Sequence, residues 1–222
     1  TPRSAPMTTD VPWVQKARAL GALWVERPRE SERFVFYEAA TREPEPLVLK
    51  RGPTWSPTRR HLIVDNRGRY AVHDVFIVQR AGTTAYVFEI PSIPAGRSAG
   101  FVVEDHPLKV DASLVERLRK LLVDPVQSTP GSVTPPGDCV MGRDPAIPFE
   151  RADGHRLYQA EADLIVDIWG KRFFERPGTT IVYREDTAQL DEAMPLSIYT
   201  DMFHHVVMRR LGLALWQDVV LP

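Results

Sequence analysis

"HLIVDNRGRYAVHDVFIVQRAGTTAYVFEI", residues 61 to 90, decides how the rest of the chain is read. Three short runs rich in β-branched and aromatic residues are separated by two turn signals, and no helix fits between them. Asn66 and Gly68 in "DNRGRY" supply residues tolerant of positive φ, and Gly82 in "RAGTT" supplies another between the runs around Ile77 and Val87. Parallel pairing would need crossover segments of about a dozen residues, which the spacing does not provide. The stretch therefore predicts antiparallel strands in a sandwich or barrel.

Working outward, the same texture extends over Phe34 to Glu104 in "FVFYEA", "PLVLK", "RHLIVDN", "HDVFIVQR", "TAYVFEI" and "AGFVVE". Ile63, Val75, Ile77, Val87 and Phe101 are expected in the core. The segment running from "LIVDNRGRY" to "PAGRSAGFVV" resembles the immunoglobulin-like sandwiches common in exported bacterial proteins. The likeness lies in its Asn-Gly-type turn, its "HDV" strand start and the "PAG" ahead of a last apolar strand. It implies an immunoglobulin-like antiparallel sandwich over residues 30–106, of a kind that binds, spaces or supports unless a reactive site is grafted on.

Upstream, residues 1–29 read as an arm followed by a short helix in "DVPWVQKARALGALW", with Asp10 at its cap and Pro12 in its first turn. Downstream, residues 107–222 read as a smaller α+β part. Val115, Leu118 and Leu122 share a helical face behind Asp111 in "HPLKVDASLVERLRKLLVD". A proline- and glycine-rich loop follows at 125–148. The firmest element is a long helix in "RLYQAEADLIVDIWGKRFFE", whose stripe of Ala162, Ile165, Val166, Trp169 and Phe173 is wide enough to pack on a sheet. Pro177 and Gly178 stop it. "TTIVYRE", "MPLSIYT" and "HHVVMRRLGLALW" read as closing strands, with a turn or helical bend in "EDTAQLDEA". The fold class is thus mainly β.

From Asp163 to about Gly212 the chain is similar to an uncharacterised group of exported bacterial proteins. Trp169 on a helix, "FERPGTTIVY", Asp191, "MPL" and "VVMRRLG" carry the likeness, from which His204 and His205 depart. The resemblance implies an extracytoplasmic compartment, periplasmic or secreted, and no particular chemistry. The chain begins "TPRSAPMTTD", a start that either a processed precursor or a trimmed chain would explain. A single cysteine, Cys139, allows no internal disulfide and leaves the redox compartment open.

With 28 cations scattered among 29 anions, no basic stripe offers itself to phosphates, so nucleic acid is not an expected partner. No apolar run approaches the roughly 18 residues that span a bilayer. Membrane association would come through a partner.

The reactive candidates are thin. His204 and His205 on one strand point to opposite faces and cannot readily share a metal ion. One of them can meet a metal only with distant residues such as His155 or Glu161, and no zinc spacing is present. Cys139 lies beside Asp138 in "PPGDCVMG", a setting that disfavours the thiolate. No "GxSxG" elbow and no phosphate-binding glycine loop occurs. No cofactor is implied. Loops as long as 125–148 are uncommon and are often functional. Val126, Val133, Val140, Met141 and Ile147, dispersed through this one, are candidate partner-binding residues. The expected function is a non-catalytic extracytoplasmic accessory or structural subunit that binds a protein partner or multi-subunit assembly. The alternative is a hydrolase or metal-dependent enzyme whose composite site leaves no linear motif.

Overall fold

The computed structural model describes residues 10–20, 25–27, 30–32, 45–56, 59–104, 108–109, 112–123, 157, 159–197, 211–217 and 219. In chain order these form α1 (Pro12–Leu20), β1 (Val25–Arg27), β2 (Glu30–Glu32), β3 (Leu47–Arg51), β4 (Arg59–Asn66), β5 (Val72–Ala81), β6 (Thr84–Ile93) and β7 (Ser98–Glu104). There follow β8 (Leu108–Lys109), α2 (Ala112–Leu122), α3 (Gln159–Phe174), β9 (Gly178–Glu185), α4 (Thr187–Ala193) and β10 (Leu213–Trp216). Among the described residues strand outweighs helix, 44% to 31%, and the named strands all pair antiparallel. The chain is mainly β.

The strand β5 organises the molecule. Its residues 72–79 are all buried, as the near-continuous apolar run "VFIV" requires of a strand covered on both faces. It lies third in a five-stranded sheet of order β10-β9-β5-β6-β8, and a second sheet has the order β3-β4-β7. Side chains alternate across β5. Val75 and Ile77 join Leu47, Leu49, Leu62, Val64, Phe88 and Ile181 between the two sheets. Phe76 and Val78 join Leu114, Leu118, Leu122, Ala162, Phe173 and Phe174 beneath α2 and α3. The result is three layers, sheet on sheet on helices, with β5 and β9 in the middle one.

Polar ties fix the helices to that middle sheet. Arg80, near the end of β5, donates to the carbonyls of Phe174 at 2.7 Å and Glu175 at 2.6 Å, so a cation meets the orphan carbonyls ending α3. Arg117 on α2 pairs with Glu89 on β6 at 2.8 Å. Gly170 lets α2 approach α3, since a Cβ there would stand 3.3 Å from Val115.

The expected helices are present as α1, α2 and α3, and the "EDTAQLDEA" bend is α4. No helix interrupts the described residues between Leu47 and Glu104. Three points differ from the sequence reading. Val75 and Ile77 are fully buried and Val87 and Phe101 are partly buried against the core, as expected, but Ile63 is not among the residues packed there. On β4 the inward positions are Leu62 and Val64, so Ile63 falls on the outer pleat. "MPL" is not strand. The hairpin β5–β6 is flanked by β9, so the five-stranded sheet takes strands from both sides of residue 106. "FVFYEA", Cys139, His204 and His205 lie outside the described residues.

Candidate functional site

Near its start, just after Val72, apolar β5 carries two polar residues, His73 and Asp74. Asp74 has φ of 48°, the one non-glycine residue with positive φ among those described. L-residues other than Asn and Asp rarely adopt this left-handed conformation. The strain coincides with a bulge, where the register of β5 against β9 shifts between His73 and Phe76. On the β6 side, Pro91 lies between Ser92 and Ile90, the partners of His73 and Val75, and has no N–H to donate.

The bulge turns the Asp74 carboxylate onto Arg184 of β9. The Arg184 Nε donates to Asp74 Oδ2 at 2.8 Å, and the two side chains are only 3% and 4% exposed. A charge so buried is tolerable only with its partner. His73, directly opposite Arg184 across the sheet, is 6% exposed. Its Nδ1 lies 3.3 Å from Ser92 Oγ and its Nε2 lies 3.3 Å from Asp186 Oδ2. Asp186 is itself held as the N-cap of α4, its Oδ1 accepting the Ala188 N–H at 2.9 Å.

A carboxylate, an imidazole and a hydroxyl thus form one row, Asp186–His73–Ser92. With a proton on Nε2 donated to Asp186, Nδ1 can accept the Ser92 hydroxyl proton, which is the order needed to activate a nucleophile. Both contacts are longer than a well-formed hydrogen bond. Ser92 is exposed. Two surface hollows flank α2, one lined by Ser113, Val115, Glu116 and Arg119, the other by Glu89, Arg117, Lys120 and Leu121. Neither reaches the row.

No family model, curated protein or solved structure matches this chain. Its own geometry carries the functional reading.

The loop beside the row is pinned from both ends. Buried Asn66 donates to the carbonyls of Tyr70 and Ile93, each at 2.9 Å, and accepts the Gly68 N–H at 2.9 Å. Tyr70 donates its hydroxyl to Glu192 on α4, and Arg69 pairs with the same carboxylate at 2.9 Å. The shared hydrogen bond pushes the Tyr70 phenol up and, with Arg69, holds the Glu192 carboxyl below its usual range.

A second feature is an open strand edge. β7 pairs with β4 on one side and with nothing on the other among the described residues. From Ser98 to Val103 it carries neither charge nor proline, and Val102 is 40% exposed. Natural sheets ordinarily guard such edges with lysine, proline or a bulge.

The candidates singled out in the sequence fall elsewhere. Val126, Val133, Val140, Met141, Ile147 and His155, together with His204 and His205, lie outside the described residues. Among the described residues no cluster of His, Cys, Asp and Glu is assembled to hold a metal ion. His73, Asp74, Ser92, Arg184 and Asp186 were not legible as a group. "HDV" reads as a strand start, and Arg184 follows Asp74 by 110 positions. The available signal was a His-Asp pair opening an apolar strand, matched by "RED" closing another.

Proposed function

We propose that the chain is a non-catalytic extracytoplasmic accessory or structural subunit that binds a protein partner or larger assembly. In this reading the immunoglobulin-like module expected over residues 30–106 is a sandwich completed by β9 and β10, and β7 is the strand to which an extended segment of the partner adds. The edge of β7, open among the described residues and uncharged from Ser98 to Val103, with exposed Val102, carries the proposal. Its unpaired backbone N–H and C=O groups select extended backbone, and alternate side chains supply specificity. The loop at 125–148, through Val126, Val133, Val140, Met141 and Ile147, would lie across the same partner or across the sandwich. The compartment rests on the resemblance of the C-terminal part to exported bacterial proteins.

Affinity purification from the native source tests this. A discrete complex should be recovered with the unaltered chain and with Leu215→Lys, which alters the exposed edge strand β10 of the other sheet. Val102→Lys should lose it while melting at the same temperature. Equal recovery with Val102→Lys would end the β7 reading.

A second reading, a hydrolase, is favoured by one observation, the Asp186–His73–Ser92 row. A fluorophosphonate probe that labels Ser92, and fails to label Ser92→Ala or His73→Gln, would replace the first reading with this one.

A further inference from the structure

The end of the sandwich opposite His73 holds two arginines that have no carboxylate partner among the described residues. On β3 the buried Leu47 and Leu49 face inward, and Arg51 follows them in the same alternation. On β4 the inward series is Val64, Leu62 and then Arg60. Both arginines are thus directed toward the mouth of the space between the sheets. Trp55 and Tyr86 pack against the inter-sheet core at that mouth. The Arg60 guanidinium carbon lies 3.8 Å from the centre of the Tyr86 ring and 5.4 Å from that of Trp55. That of Arg51 lies 5.4 Å from the centre of the same Trp55 ring.

Aromatic faces hold a guanidinium plane by cation–π attraction but leave its charge uncancelled and its N–H edge unused. The Arg60 Nε is buried and has no hydrogen-bond partner among the described residues. No carboxylate among the described residues forms an ion pair with Arg51 or Arg60. A buried donor left unmade is costly, and two cations sharing one ring repel each other. Both penalties vanish when an anion bridges them.

We propose that Arg51, Arg60 and Trp55 form a binding site for an oxyanion, the carboxylate or phosphate group of a ligand. The stacked guanidinium of Arg60 is preorganised to meet two oxygens at once, and Arg51 closes over them from the edge strand. The competing account is that inward charges on β3 merely discourage edge-to-edge pairing.

The test is a titration of the whole chain, followed by the arginine Nε–Hε signals in proton–nitrogen spectra at constant ionic strength. One arm adds inorganic phosphate and the other adds acetate. The Arg60 signal should shift and saturate in at least one arm, and the arm that saturates names the group. Arg51→Gln, at an exposed position that need not disturb folding, should weaken binding about tenfold or more, by the ordinary worth of a charged hydrogen bond. Arg117→Gln, remote and paired with Glu89, should leave it unchanged. A shift that never saturates in either arm, or one indifferent to Arg51→Gln, would overturn the proposal in favour of edge protection.

Discussion

Replacing Arg184 by Met should be the most informative single change to the fold. The substitution keeps a long flexible apolar chain in place, so little packing is lost. It removes the Arg184 guanidinium from the Asp74 carboxylate, which is 4% exposed and held in a left-handed conformation at φ 48°. Breaking a buried pair by removing one partner costs about 3–5 kcal/mol, because the remaining charge cannot be resolvated. A second change, Asp74→Asn, removes that charge from the Met variant while keeping a residue that tolerates positive φ. The double variant should therefore regain at least about 2 kcal/mol of the loss, a coupling expected only of residues in direct contact. Urea unfolding followed by circular dichroism gives all three free energies, and the slopes check that the transition stays cooperative. A loss below about 1 kcal/mol for Arg184→Met, or simple additivity in the double variant, would refute the reasoning. Either result would mean that the pair is solvated and that the bulge is held by backbone alone.

Three further outcomes follow from particular contacts. Phe76→Ala should cost about 3–5 kcal/mol in the same urea assay, since the ring is fully buried between β5 and the helices. Gly52→Ala should cost about 1–3 kcal/mol, because a Cβ would stand 2.2 Å from the His61 ring, and pairing it with His61→Ala should relieve the clash. Hydrogen bonds from Lys50 and then Ser98 hold the Asp65 carboxyl below its usual range. A depressed carboxylate adds stability above its unfolded pKa of about 3.9 and loses it as pH falls through the folded value, so Asp65→Asn should lower Tm at neutral pH and, lacking that contribution to lose, show a flatter fall of Tm in acid.

The β character of the chain was legible because its signal is local. Asn66, Gly68 and Gly82 mark turns, and the runs between them have strand composition. The helices α2 and α3 were legible from the spacing of Leu118 and Leu122 and of Ala162, Val166 and Phe173. What could not be read was which strands meet. β9 joins β5 through residues far apart in the chain, and the unbroken apolar run "VFIV" at 75–78 was the one clue that β5 has cover on both faces. Phase was missed on β4, where Leu62, Ile63 and Val64 are all apolar and alternation alone does not say which side is inward. The polar row was hidden for the same reason as the β5–β9 pairing. His73, Ser92 and Asp186 are brought together by sheet register, and register is a property of pairing rather than of any one segment.

The central claim is that β7 receives a strand from a protein partner. Hydrogen exchange on the purified native complex measures this most directly, amide by amide along Ser98–Glu104. The amides of β7 already bonded to β4 should be slow with or without the partner, while the alternate ones, which have no strand partner among the described residues, should become protected in the complex. If those alternate amides exchange equally fast in the intact complex, the partner does not add a strand to β7, and the claim is contradicted.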